Sequence, residues 1–313
     1  MNIEPFETST PVRPGWQRAL RGGENALVVV PLALSMLLPV LEIVLRRLHS
    51  GITGSIVLVQ NFTLIIGMAG AAIAAREGRL LSFSTVAGFL HGRAKSAARI
   101  VSSGVAAAVS GILCVASLQF MLTERQAGGR LVGSIPDWAV ELVLPLGFSL
   151  IALRLVWHAP GQWRGRFLTL LVAVAIVLFG VLSPIAPDRC VVPGLVALLI
   201  ATILGAPVFT AIGGAALILF WGDGSPIATI PLKHHSLVTS SSLPTIPLFT
   251  LAGYFLAESG ASQLLIRVFQ ALLGSFRGGP AIVTALLCAF FTSFTGASGV
   301  TILALGGLLM PVL

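Results

Sequence analysis

From Pro280 to Leu313 the chain carries no ionisable side chain except Cys288. A run of that length and composition belongs in lipid or deep inside a membrane protein. In its middle stands a small polar cluster, Thr295-Gly296-Ala297-Ser298-Gly299. The arm on its N-terminal side is short: at about 1.5 Å per residue, 281–294 reaches roughly 21 Å, against about 30 Å of hydrocarbon. Two readings fit. Either 281–305 is one continuous span whose glycines and serine serve packing, or two half-length helices meet at an unwound tip. The density of polar and glycine residues at mid-run, followed by Gly306-Gly307 and Pro311, favours the break. Secondary transporters build ion and substrate sites at the bilayer midplane in this way. Such a tip would expose carbonyl and hydroxyl oxygens, hard ligands suited to Na⁺. Half-helix N-termini pointing inward would favour a carboxylate.

The rest of the chain agrees with a membrane setting. It is 56% hydrophobic and 10% charged, where a soluble domain carries about 25% charged residues. The apolar runs are too long for the alternating strands of a transmembrane barrel. The fold class expected is therefore all-α: a polytopic helical membrane protein with about 7–8 spans plus a re-entrant helical hairpin. The net charge of +8 sits in short loops between apolar runs. That is a topology signal, and no nucleic-acid partner is expected. Cys114, Cys190 and Cys288 share no metal-ligand spacing and read as buried small residues. The polar stretch 1–25 precedes the first apolar run without a small-residue cleavage site, so no cleavable signal peptide is expected.

Spans are expected near 26–45, 53–75, 100–122, 136–157 and 167–184, then near 194–221. In the last of these, Gly205-Ala206-Pro207 should kink or end the helix. A cytoplasmic N-terminus puts Arg13, Arg18, Arg21, Arg76, Arg79, Arg93, Lys95, Arg99, Arg154, Arg164 and Arg166 on the inner side. It leaves Arg46, Arg47, Arg125, Arg130 and Arg189 outside, so the positive-inside rule favours that orientation. Residues 222–243 read as a polar loop. Residues 244–277 fit either a span or an amphipathic segment lying at the surface.

Intramembrane polar groups have plain readings. Glu42 lies four residues before Arg46 and pairs with it as an i,i+4 ion pair. Gln60 and Asn61 suit interhelical hydrogen bonds. Glu141 and Glu258 fall near span ends and read as interfacial. His234 and His235 are adjacent, lack a third ligand at useful spacing and read as a solvated loop, so no metal site is expected. Gly67, Ala71 and Ala75, like Gly104 and Ala108, fall four apart and read as helix-packing rows. No Gly-x-Ser-x-Gly elbow or phosphate-binding glycine loop occurs, which leaves no case for an enzyme or for a cofactor.

Residues 194–313 resemble the start of the large permease subunit of the tripartite ATP-independent periplasmic (TRAP) transporters. The resemblance rests on Gly205-Ala206-Pro207, on Pro247 to Gly253 with Ser259-Gly260, on Leu265-Ile266-Arg267, on Gly274 to Gly279, and on Phe294 to Ser298. Residues 26–160 resemble the small four-helix subunit through Gly67 to Ala72, Arg76 to Arg79, Ile135 to Trp138 and Pro145 to Phe148. The domains expected are a polar cytoplasmic tail (1–25), a small-subunit-like four-helix domain (26–166), a connecting helix and turn (167–192), and the first part of a large permease domain (193–313).

The resemblance implies Na⁺-coupled uptake of an organic anion, a carboxylate, delivered by a periplasmic binding protein across the bacterial inner membrane. It places Thr295, Gly296, Ala297 and Ser298 at a Na⁺-binding hairpin tip. It also implies a second, inverted half beyond Leu313. The expectation is thus a truncated or split product that transports only when a partner chain completes it. The alternative is a non-transporting membrane scaffold or assembly subunit.

Overall fold

A computed structural model describes residues 15–49, 51–52, 54–82, 91–133, 135–160, 163–182, 187–240 and 279–295, with single positions between 245 and 271. The described residues are helical, joined by short links, with two isolated β-bridges in place of any strand. In chain order the helices are α1 (Gly15–Arg47), α2 (Ser55–Glu77), α3 (Gly92–Ala127), α4 (Asp137–Glu141), α5 (Val143–Trp157), α6 (Trp163–Leu182), α7 (Pro187–Ile203), α8 (Val208–Gly222), α9 (Thr229–Val238) and α10 (Gly279–Thr295).

Five stretches are long and apolar enough to cross a membrane: Arg21–Arg47, Ser55–Glu77, Gly92–Ala127, Asp137–Trp157 and Trp163–Gly180. They coincide with the first five expected spans, and the protein is a polytopic helical membrane protein. The expected sixth span is two shorter helices, α7 and α8. α7 ends in a hydrogen-bonded C-cap: Gly205 N–H donates to Thr202 O (3.0 Å) and Ala206 N–H to Ala201 O (2.9 Å). This pattern needs a left-handed residue, supplied by Gly205 at φ 105°. Pro207, which has no N–H to continue the ladder, then caps α8.

The chain divides into two compact units, Met1–Pro31 with Leu64–His234, and Leu32–Thr63 with His235–Leu313. In the first, α3 is the hub and packs against α5, α6, α7 and α8. More than half of its apolar stretch is buried, a larger share than in the other four candidate spans. The reason lies in its composition: Gly104, Ala106, Ala107, Ala108, Ser110, Ala116 and Ser117 are all buried. Small side chains let helix backbones approach where lipid gives no hydrophobic drive to associate. Ser110 and Ser117 donate to Ala106 O (2.8 Å) and Leu113 O (2.7 Å), so their hydroxyls are satisfied within the helix. The large side chains face outward instead, with Phe167 65% and Ile212 70% exposed.

Three buried clusters join the elements. Ala72 and Ala75 meet Ile151, Ala107 and Ala108 meet Ala173, and Val109 and Leu113 meet Leu217. The Gly104/Ala108 row packs as expected: a Cβ on Gly104 would stand 2.7 Å from Val172 Cγ1. The Gly67/Ala71/Ala75 row holds in part: Ala75 is buried and Ala71 packs against its cluster. Nothing lies within 4 Å of a Cβ on Gly67, and the buried positions are Met68, Ala72 and Ala75. A helix turns 100° per residue, so a 3.6-residue period suits a mixed four- and three-residue step better than a strict four.

The expected polar loop 222–243 contains α9. Ile230 packs on the Val109–Leu113–Leu217 cluster, and Pro231 is fully buried in the first turn, where a missing N–H costs no helical bond. Tertiary burial of these apolar positions overrides the polar residues around them.

Candidate functional site

The expected ion site starts from α10. Val283 and Leu287, four apart, are fully buried, while Ile282, Leu286 and Phe290 face outward. At about 1.5 Å per residue its 17 described residues rise roughly 25 Å. Thr295 is its last residue. Gly296, Ala297 and Ser298 lie outside the described residues, as do Gly299 and Glu258. One turn before the end, Ser293 Oγ donates to Phe290 O (2.6 Å), so that hydroxyl is turned back onto its own helix.

A second polar constellation lies in the first unit and was not singled out by sequence reasoning. Glu24 of α1 is shared between two arginines from different helices. Arg76 Nη1 of α2 lies 2.6 Å from Glu24 Oε2, and Arg154 Nη2 of α5 donates to Glu24 Oε1. Arg154 Nη1 also donates to Ala72 O at 2.6 Å. All three charged side chains are largely enclosed. The signal was present in the charge pattern, because Glu24 precedes the first apolar run and both arginines end runs on the same predicted side. Its pairing was not, because one carboxylate cannot be assigned among many arginines without coordinates.

The other polar candidates divide. Glu42 and Arg46 form the expected i,i+4 pair at 2.7 Å. Asn61 departs from expectation: its Nδ2 donates to Val57 O (2.8 Å) on its own helix, and its Oδ1 is buried without a partner among the described residues. Glu141, expected near the start of its span, lies four residues into the stretch Asp137–Trp157 and is buried, at 3% exposure, with Oε2 unpartnered among the described residues. The cause is local. Pro145, four residues on, offers no N–H to the Glu141 carbonyl, and the helix is interrupted between α4 and α5 at Leu142. The interruption leaves Glu141 beside a break in the first turns of the span. His234 and His235 sit on α9, a helix within the stretch expected as a loop. No group of three or more His, Cys, Asp or Glu that could hold a metal ion occurs among the described residues.

The two regions of the chain meet through the packing of α7 and α8 on α3 and through a backbone link. Ser82 bridges Pro207, and Val208 N–H donates to Leu81 O at 2.8 Å. Beside it, Gly213 and Gly214 of α8 pass close to Leu113 and Val109 of α3.

Comparison with known proteins matches these two regions to two family profiles. Residues 35–165 match the DctQ component of the tripartite ATP-independent periplasmic transporters, and residues 195–313 match their DctM component. The chain is similar to the isethionate TRAP transporter permease protein DctMQ of Oleidesulfovibrio alaskensis, 29% identical over 206 residues, which is 63% of this chain and 31% of that protein. It is also similar to the C4-dicarboxylate TRAP transporter large permease protein DctM of Rhodobacter capsulatus, 33% identical over 118 residues (37% of this chain, 27% of that protein). The ectoine TRAP transporter large permease protein TeaC of Halomonas elongata is 28% identical over 112 residues (35% and 26%). The chain thus spans about a third or less of the length of these relatives.

Proposed function

Because the chain belongs to the membrane components of the TRAP transporters, a DctQ-type region followed by a DctM-type region, we propose that it forms part of a secondary transporter for a small organic anion. The observation that carries this reading is the joining of the two regions, through the Leu81–Val208 hydrogen bond and the packing of α8 on α3. A rigid small-subunit-like bundle would brace the permease part while it alternates between inward-open and outward-open states. Na⁺ is the coupling ion, held near Thr295, Gly296, Ala297 and Ser298. Supporting this, the apolar helix α10 leads directly into the glycine- and hydroxyl-bearing stretch Thr295-Gly296-Ala297-Ser298, whose carbonyl and hydroxyl oxygens suit a hard cation. The chain sits in the inner membrane with its N-terminus cytoplasmic, and a periplasmic binding protein delivers the substrate. The relatives' names span isethionate, C4-dicarboxylates and ectoine, so a carboxylate substrate is the finer reading and the first to test.

A second reading is a non-transporting scaffold or assembly subunit. It draws on the hub helix α3, whose small residues and internally bonded serines suit bracing.

The test is reconstitution in liposomes of this chain together with the further large-subunit sequence its relatives carry and a cognate binding protein. Accumulation of labelled dicarboxylate under an imposed Na⁺ gradient is expected. Uptake indifferent to Na⁺ would remove the coupling assignment. Stable assembly without uptake of any small organic anion would favour the scaffold.

A further inference from the structure

Within the first unit, α2, α3, α5 and the 205–207 link border an open cavity of about 210 Å³. Its polar lining is cationic and hydroxylic: Arg99, Arg154, Ser102, Ser103 and His158, with no carboxylate among the lining residues. Arg154 is compensated by Glu24, which it shares with Arg76. Arg99 is not. It is exposed and makes no ion pair among the described residues, so its guanidinium fork is available to a ligand.

We propose that this cavity binds a phosphate-class oxyanion, by its position the phosphodiester headgroup of an anionic phospholipid, with Arg99 as the primary ligand. The volume fits: at about 30 Å³ per water it has room for a tetrahedral phosphate with several waters around it. The chemistry fits as well, because arginine with serine hydroxyls is the pairing that holds phosphate oxygens through charge-assisted hydrogen bonds.

Three features argue for a lipid source over a free ion. The cavity opens at the ends of membrane-length helices. One wall is apolar, formed by Ala75, Leu80 and Leu155, and can take the start of an acyl chain. Trp157, the residue before the lining His158, is exposed, with Arg166 stacked 4.4 Å from its ring. Such aromatics sit at headgroup level. Gly205 and Pro207 also line the cavity, so a bound headgroup would tie the link between the two regions to the ends of α2, α3 and α5. Binding to the folded state alone stabilises it by mass action.

The full chain, purified and delipidated in an uncharged detergent, is titrated with phosphatidylglycerol, phosphatidylcholine or inorganic phosphate, read by thermal denaturation and native mass spectrometry. Phosphatidylglycerol is expected to raise the denaturation midpoint and to be retained, and phosphatidylcholine to do neither. Arg99→Ala and Ser103→Asp should each weaken phosphatidylglycerol binding by about tenfold, the loss of one charge-assisted contact, with Arg99→Lys intermediate. A midpoint shift with inorganic phosphate, abolished by Arg99→Ala, would keep the site and make the free ion its source. Equal shifts with both lipids and none with phosphate would overturn the proposal. So would unchanged phosphatidylglycerol affinity in folded Arg99→Ala and Ser103→Asp proteins, checked by helical circular dichroism.

Discussion

Val208 N–H donates to Leu81 O at 2.8 Å, fastening the first residue of α8 to the chain that follows α2. Val208 is the first helical residue, where proline is well tolerated, and Pro207 before it already has an extended ψ of 146°. Val208→Pro therefore deletes this one donor and preserves the helix start. The thermal midpoint should fall by the equivalent of about 1 kcal/mol, and Val208→Ala should fall less. Equal losses in both variants would assign the effect to side-chain packing instead.

Glu24 holds Arg76 and Arg154 together, so its removal leaves two enclosed cations facing each other. Glu24→Gln is expected to cost about 1–2 kcal/mol, between the worth of surface pairs and the cost of stranding a buried charge. Adding Arg76→Gln should recover part of that loss. The check is a double-mutant cycle on detergent unfolding, and strict additivity would contradict a shared carboxylate.

Two glycines that look alike in sequence should behave oppositely. Gly104→Val drives a branched side chain into Val172, where even a Cβ would stand 2.7 Å away. It should destabilise by about 1–3 kcal/mol through overpacking. Gly67→Ala meets nothing within 4 Å and should be neutral or slightly stabilising, since Ala favours helix over Gly by about 0.5–1 kcal/mol. Thermal midpoints of the two variants decide the matter.

Glu141 is buried with one carboxylate oxygen unpartnered among the described residues. Glu141→Gln removes a charge that is costly to bury while keeping the shape, so its midpoint at neutral pH should equal or exceed that of the parent. A marked loss would mean that the carboxylate is held by a partner outside the described residues.

In the reconstituted transporter, Ser298→Ala and Gly296→Val should lower the apparent Na⁺ affinity, with about a tenfold rise in the half-saturating concentration for the loss of one oxygen ligand. Unchanged Na⁺ dependence in both would sink the ion-site assignment.

What could be read directly was whatever depends on local composition. The five long apolar runs became helices because lipid leaves the backbone no partner but itself. The Glu42–Arg46 pair formed because i and i+4 meet on any helix. The break at Gly205–Pro207 followed from a donor that proline lacks and a φ that glycine permits. Only part of the candidate ion site was legible beyond its motif, since Thr295 alone of its residues is described. The burial of Glu141 and the own-helix partner of Asn61 were not legible, because burial and pairing depend on neighbours that a linear pattern does not identify.

The sequence by itself determined the membrane setting and the position of the five long helices, because hydropathy, proline and glycine act within a few residues, and its motifs carried the resemblance to two subunit types. Tertiary structure alone decided that α3 is the hub, that one glutamate serves two arginines, and that α9 is a helix. It also decided that Arg99 lines a cavity with no carboxylate among its described lining residues. These are long-range matters: which small residues meet, and which charges share a space, depends on how helices far apart in the chain are brought together.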